Sequence, residues 1–332
     1  MASRKKLNNI SKLPAFTPEE EAYIARAGSG ALLNPRFDST FKALFTQNTP
    51  ESKTALRSFL EAATERKITK VTLLPSEAPA DYPDERGLRY DILCDFDNGE
   101  CANIEMQSFN QEYDYGKRAE YHVARIMGTK YPRGTLWQKV AKAYQISVLD
   151  FKYDTTCKEA VSRYAMRTKD GRELTNLLNI VFLELPKLAG KEANLSANSA
   201  LENWGIFLKE ADNPNKIATI KDLAKKEEGI MAAEFVLTYM SGDRARWARQ
   251  FQDEMADIDR RSSAAAILEK GMEKGMEKGM KEGMEKGMKE GIEKGRLDAL
   301  LELVKSKLLS PAEAARRLNI SESELKKLLE ER

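Results

Sequence analysis

Residues 89 to 107, RYDILCDFDNGECANIEMQ, alternate apolar and polar side chains on either side of an Asn-Gly pair. This is a strong short-range signal for a β-hairpin, because Asn and Gly tolerate the positive φ that tight hairpin turns require. The length of the loop decides which side chains share a face. A two-residue turn at Asn98-Gly99 pairs Ile92 with Glu105 and Asp91 with Met106, mixing polar and apolar residues on both faces. A three-residue loop, Asp97-Asn98-Gly99 with Gly99 left-handed in a bulge, sets Asp91 opposite Glu105 instead. It gathers Tyr90, Ile92, Cys94, Phe96, Ala102, Ile104 and Met106 on one apolar face. The other face carries Asp91, Asp95, Asn103, Glu105 and Gln107, with Leu93 and Cys101 among them. A one-residue slip would bury the charges, so the cleaner segregation favours the three-residue loop. Two carboxylates side by side on neighbouring strands either face solvent or share a hard cation such as Mg²⁺, which takes oxygen ligands.

At 332 residues the chain is too long for one small core, and a catalytic domain with helical additions is the natural expectation. Cys94, Cys101 and Cys157 form no CxxC pair, which argues against a zinc site or a disulfide framework and suits a reducing, cytoplasmic compartment. His122 is the one histidine, so a Ser-His-Asp triad or HExxH zinc chemistry is disfavoured, and a partly exposed helix position is expected for it. No GxxxxGK[ST] phosphate loop is present, so no nucleotide cofactor is implied. No apolar run approaches membrane-spanning length, and the opening MASRKKLNNISK is basic without an apolar signal core.

Net charge is only +2, but it is unevenly spread. Between Lys117 and Lys142 seven Lys or Arg stand against the single acid Glu120, interleaved with Tyr121, Tyr131 and Trp137. Such a stretch suits a DNA phosphate backbone, with Lys117, Arg118, Tyr121 and Arg125 as its candidate contacts. From about residue 191 the chain reads as amphipathic helices with no visible chemistry, fitted to a cap or a dimer surface. Glycine then recurs every fourth position from 271 to 295, each but the last followed by Met or Ile. Seven glycines cost a helix about 0.8–1 kcal/mol each, more than the eight Glu/Lys i,i+4 pairs return at about 0.2–0.5 kcal/mol each. The repeat is therefore expected to be a spacer, or a helix that packs on a partner in a homo-oligomer. Beyond it, LSPAEAARRLNISESELKKLLEER reads as two short capped helices with helix-turn-helix spacing, though the second is too acidic to suit DNA.

Asp91, a hairpin, and then Glu105-x-Gln107 resemble the Asp…(Asp/Glu)-x-Lys signature of PD-(D/E)XK nucleases, in the variant with Gln at the lysine position. More closely, the chain resembles the recombination-promoting nuclease family, whose members are often labelled transposases. The likeness extends to FDSTFKALF, NIEMQ, RAEYH, AYQISVLDF, NIVFLELPKL and the Gly-Met-Glu-Lys repeats, most of residues 31 to 295. In RAEYH, Arg118 and Tyr121 match the family's Arg-x-x-Tyr-Tyr helix and His122 replaces its second tyrosine.

The resemblance implies an α/β fold: a restriction-endonuclease-like PD-(D/E)XK core, a mixed sheet flanked by helices, with a C-terminal helical extension. The expected divisions are an arm over 1–30, the nuclease domain over 31–190, a helical region over 191–268, the repeat over 269–296 and a helix-turn-helix-like segment over 297–332. It implies a metal-dependent endonuclease acting on double-stranded DNA, with recombination or mobile-element biology as its setting. Asp91, Glu105 and the Met106 carbonyl would hold Mg²⁺, or Mn²⁺ in its place. Gln107 would orient water or phosphate, and Asp38 is a lesser candidate. Either carboxylate is expected to be removable without loss of fold. Two alternatives stay open: a DNA-binding or oligomerising protein with a weak or inactive site, and a transposase of the ribonuclease H fold.

Overall fold

The computed structural model of the protein describes residues 16–78, 88–97, 99–109, 114–131 and 133–330. Most of the expected N-terminal arm (1–15), Asn98 of the hairpin turn and the last two residues of the C-terminal segment lie outside the described residues. The chain divides into two compact units, Met1–Ser262 and Ser263–Arg332. No helix among the described residues is long and apolar enough to cross a membrane.

The first unit opens with helices α1 (Pro18–Ile24), α2 (Asp38–Thr46) and α3 (Pro50–Thr64). Thr17 and Glu20 form a capping box at the start of α1, and Thr49 caps α3 ahead of a proline at its first position. Strands β1 (Val71–Leu73), β2 (Glu77–Ala78), β3 (Leu88–Arg89), β4 (Ile92–Phe96) and β5 (Glu100–Gln107) come next, then helix α4 (Tyr115–Lys130). Strands β6 (Ala143–Leu149), β7 (Val161–Ala165) and β8 (Leu178–Glu184) complete the sheet. Helices α5 (Ala200–Glu210), α6 (Ile217–Lys226) and α7 (Glu228–Ser241) follow, and α8 (Arg244–Lys305) begins within this unit.

Six strands form one mixed sheet in the order β1-β4-β5-β6-β8-β7, and β2 pairs with β3 apart from it. The β5–β6 and β6–β8 pairs are parallel, and the other pairs of the six-stranded sheet are antiparallel. A parallel pair needs a crossover, and α4 supplies it between β5 and β6. The sheet is thereby covered on both faces. On one face Ile92, Phe96, Ile104, Ile146 and Val181 join Phe41, Phe59, Trp204, Phe207 and Leu237 in the main core. On the other, Cys101, Ala143, Leu149 and Phe182 lie against Tyr115, Ala119, Val123 and Ile126 of α4. The helices from α5 to α7 therefore share the core beneath the sheet.

The hairpin pairs Ile92 with Ile104 and Phe96 with Glu100, so its loop has three residues and Gly99 sits at φ 77°. That is the register the alternation selects. Tyr90 departs from it: the chain bends at Asp91, and Tyr90 joins Cys101 and Val123 on the α4 face, away from Ile92 and Cys94.

In the second unit the repeat is helical as part of α8, with Met272, Met276, Met280, Met284 and Met288 exposed. Lys278 and Glu282 approach to 3.8 Å and Lys286 and Glu290 to 3.9 Å, loose and largely exposed pairs that offset little of the glycine cost. Helices α9 (Pro311–Leu318) and α10 (Glu322–Glu330) follow. Ser310 caps α9, Asn319 ends it at φ 57°, and Ser321 and Glu324 form the expected capping box of α10. Ala314 and Ala315 pack with Leu301 and Leu325, small residues allowing close approach.

Candidate active site

Parity on β5 and β6 puts Asn103 and Glu105 beside Gln145 and Ser147 on the α4 face. All four are buried, so this polar face is covered by α4 and not solvated. A hydrogen-bond network satisfies most of it, leaving Asn103 Oδ1 without a hydrogen-bond partner among the described residues. The Asn103 amide donates to Glu105 Oε1 at 3.0 Å and to Gln145 Oε1 at 2.8 Å, and Gln145 Nε2 donates to Ser147 Oγ at 3.1 Å. Tyr115 Oη lies 3.1 Å from both Ser147 Oγ and Glu105 Oε2. From α4, His122 Nδ1 comes within 2.7 Å of Glu105 Oε1 and Arg118 within 3.7 Å of Oε2. Burial pushes the Glu105 carboxyl up, but the His122 contact, the Arg118 charge and the Asn103 amide outweigh it and hold it below the usual glutamate range.

Two expectations change as a result. His122 is buried, 4% exposed, because the position at which the family helix carries tyrosine faces the sheet. Glu105→Ala would leave Arg118 and the Asn103 amide facing a void, and removing one member of a buried ionic network typically costs about 3–5 kcal/mol. Glu105 is thus a structural hub whose removal is not neutral to the fold.

Asp91 points the other way. Its bend ends the strand pairing, and Oδ2 accepts the Met106 backbone N–H at 3.3 Å while Oδ1 lies 3.0 Å from Lys42 Nζ. The same ammonium is 2.8 Å from Asp38 Oδ2. Lys42 therefore sits between two carboxylates, one turn along α2 from Asp38. Burial raises the Asp91 carboxyl to about 6; the Asp38 charge adds to the rise and Lys42 opposes it. These groups open on a cleft of about 240 Å³ at the C-terminal end of β5, lined by Asp38, Asp91, Met106, Gln107, Arg118 and, from α8, Asp253, Asp257 and Arg260.

Asp38, Asp91, Gln107, Met106 and Arg118 thus share one cleft, and Glu105 lies behind it against α4. Lys117, Tyr121 and Arg125 follow at four-residue spacing along α4, with Lys117 and Tyr121 exposed. Sequence reasoning missed Lys42 and the three α8 residues. Lys42 was visible only as the i+4 partner of Asp38, and α8 carried no chemical signal.

Among the described residues no group of three or more His, Cys, Asp or Glu side chains is arranged to hold a metal ion. Mg²⁺ asks for less, because one or two carboxylates and several waters satisfy it. The pair Asp38 and Asp91 fits such a cation: both offer hard oxygen donors, and they already bracket the Lys42 ammonium. A thiolate-imidazole site of the zinc type is not offered here.

The Asp91 shift has a measurable consequence in the metal-free protein. A folded carboxyl that keeps its proton to about 6, against 3.8 ordinarily, binds more protons than the unfolded chain between those values. Stability therefore falls as pH rises through that window, and the penalty persists above it. Asp91→Asn removes a penalty of about 1–3 kcal/mol, so by thermal unfolding it should be several degrees more stable than wild type at about pH 8. The difference should close by about pH 3.5. A variant less stable than wild type at the higher pH would contradict the assigned burial.

A family model of PD-(D/E)XK nuclease family transposases matches residues 35–266. No curated protein and no solved structure matches the chain. The matched span holds the whole mixed sheet and every residue lining the Asp91 cleft. The chain belongs to the PD-(D/E)XK nuclease family transposases.

Proposed function

We propose that this chain is a metal-dependent DNA endonuclease whose centre is the Asp91 cleft. The observation that carries the reading is a half-buried carboxylate at the end of a central strand, paired with Asp38 around a lysine ammonium. Asp91, with Asp38 and the Met106 carbonyl, would hold a divalent cation, and Glu105 would join it only by leaving its contacts with Asn103, Tyr115, His122 and Arg118. Bound there, the cation supplies charge neutralisation at the scissile phosphate and an acidified water. Lys42 provides the positive charge that Gln107 lacks, and Gln107 positions a phosphate oxygen or the water by hydrogen bonds. Arg118 and Arg260 bring guanidinium groups to the cleft, suited to phosphate.

DNA would lie along α4 and the segment after it. Lys117, Tyr121 and Arg125 share one stripe, and Trp137, 87% exposed, stands between Arg133 and Lys139. Replacing Lys117 and Arg125 together with alanine should lower the slope of log binding constant against log salt by about 1.8, because each phosphate contact contributes about 0.9. An unchanged slope would place the DNA elsewhere.

The test of the activity is supercoiled plasmid incubated with purified protein and Mg²⁺ or Mn²⁺, against the same mixture in EDTA. Conversion to nicked or linear DNA with metal alone supports the reading; no cleavage in either favours the second. That second reading, a DNA-binding protein with a silenced centre, is favoured by one observation: Glu105 is engaged by four side chains and withdrawn from the cleft.

A further inference from the structure

A second cavity, about 680 Å³, adjoins the Asp91 cleft, and Arg36, Phe37, Ser108 and Asp257 line both. Its walls come from the segment between α1 and α2, the segment after α5, Thr238 of α7 and the start of α8. Neither the metal chemistry nor the α4 surface uses it. Its size falls within the range of about 300–1,000 Å³ typical of small-molecule pockets, enough for a nucleoside.

The lining chemistry is selective. On one side Tyr23 packs edge-on to Trp247 at 5.7 Å, and the Arg26 guanidinium lies 4.7 Å over the Tyr23 ring. Gln250 fixes this wall by donating to Tyr23 Oη at 2.9 Å and accepting from the Asn34 backbone N–H at 2.7 Å. Elsewhere on the lining, Arg36 bridges Asp150 at 3.3 Å and Asp212 at 3.9 Å. Burial raises both of these carboxyls above the usual aspartate range, and the Arg36 charge opposes the rise at each. Four acids, Asp150, Asp212, Glu254 and Asp257, face three arginines, Arg26, Arg36 and Arg261, and unlike the Asp91 cleft this cavity has no proposed metal ion to offset the acids. A phosphate group gains little there. A neutral, flat heterocycle with amino groups gains more, stacking on the Arg26–Tyr23 wall and donating to the aspartates.

We propose that this cavity receives one unpaired nucleobase of a DNA strand whose adjacent phosphate lies in the Asp91 cleft, so that DNA carrying a bulged or mismatched nucleotide at the cut is the preferred substrate. The proposal rests on the nuclease reading of that cleft. Extruding a base costs a few kcal/mol, and least when it is already unpaired, which is how such a pocket turns into substrate selectivity. Adenine, with an exocyclic amino group, should bind better than thymine, whose carbonyls would face Asp150 and Asp212.

The test uses the full-length protein in EDTA, so that binding is read without cleavage. Fluorescence anisotropy compares a fully paired duplex, the same duplex with one bulged adenine, and the same with one bulged thymine. The expected result is about tenfold tighter binding of the adenine bulge than of the paired duplex, with thymine in between. Thr238→Trp fills the cavity from an exposed position on α7 outside the Asp91 cleft. It should bring all three probes to the paired-duplex affinity with unchanged thermal unfolding. Equal binding of the three probes by wild type, including no binding to any, would overturn the proposal, as would a preference that survives Thr238→Trp. Plasmid cleavage decides the nuclease reading separately.

Discussion

Asp91→Asn is expected to lower metal-dependent DNA cleavage by about 10³-fold or more, because it removes the carboxylate around which the cleft is built. The fold should survive, since asparagine still accepts the Met106 N–H and Lys42 keeps Asp38. Glu105→Gln should lower cleavage comparably while its one oxygen still accepts from Asn103 and its amide NH2 faces Tyr115 Oη, which would then accept, and it separates the charge from the structural role that Glu105→Ala would confound. Initial rates of plasmid nicking, taken beside thermal unfolding of each variant, read both effects. Cleavage by both variants within about tenfold of wild type would remove the site from this cleft.

The second large effect is expected at Lys42. Its ammonium contacts both Asp38 and Asp91 and can stand in for the lysine that the Gln107 position lacks. Lys42→Met keeps the aliphatic stem and deletes the charge, and cleavage should fall about 10²–10³-fold, in line with loss of one preorganised charge-stabilising donor. The loss should appear in kcat more than in KM, and Lys42→Arg should recover part of it. A purely structural lysine would instead change stability and leave the rate ratio of the folded fraction near one.

How much of this was legible in the sequence depended on the range of the interaction. The hairpin register was legible because alternation and an Asn-Gly pair act within nineteen residues, and a slip would invert every side chain. The bend at Asp91 was not legible: it turns Tyr90 toward α4 and Asp91 toward α2, and the causes are side chains brought in from Lys42 and Val123. The polar face of β5 looked solvent-facing or metal-binding. It is buried, because Gln145 and Ser147 arrive on the next parallel strand and α4 closes over them. The capping signals of α9 and α10 were local and carried through, whereas the contribution of Asp253, Asp257 and Arg260 to the cleft needed a helix that begins more than a hundred residues beyond β5.

The most direct measurement is isothermal titration of Mn²⁺ into metal-free wild-type protein and into Asp91→Asn at the same pH. Binding of the ion by wild type, accompanied by a rise in its unfolding temperature that grows with metal concentration, and loss of both in the variant, is the expected result. Equal binding by the two proteins, or none by wild type, would contradict a metal-dependent centre at Asp91.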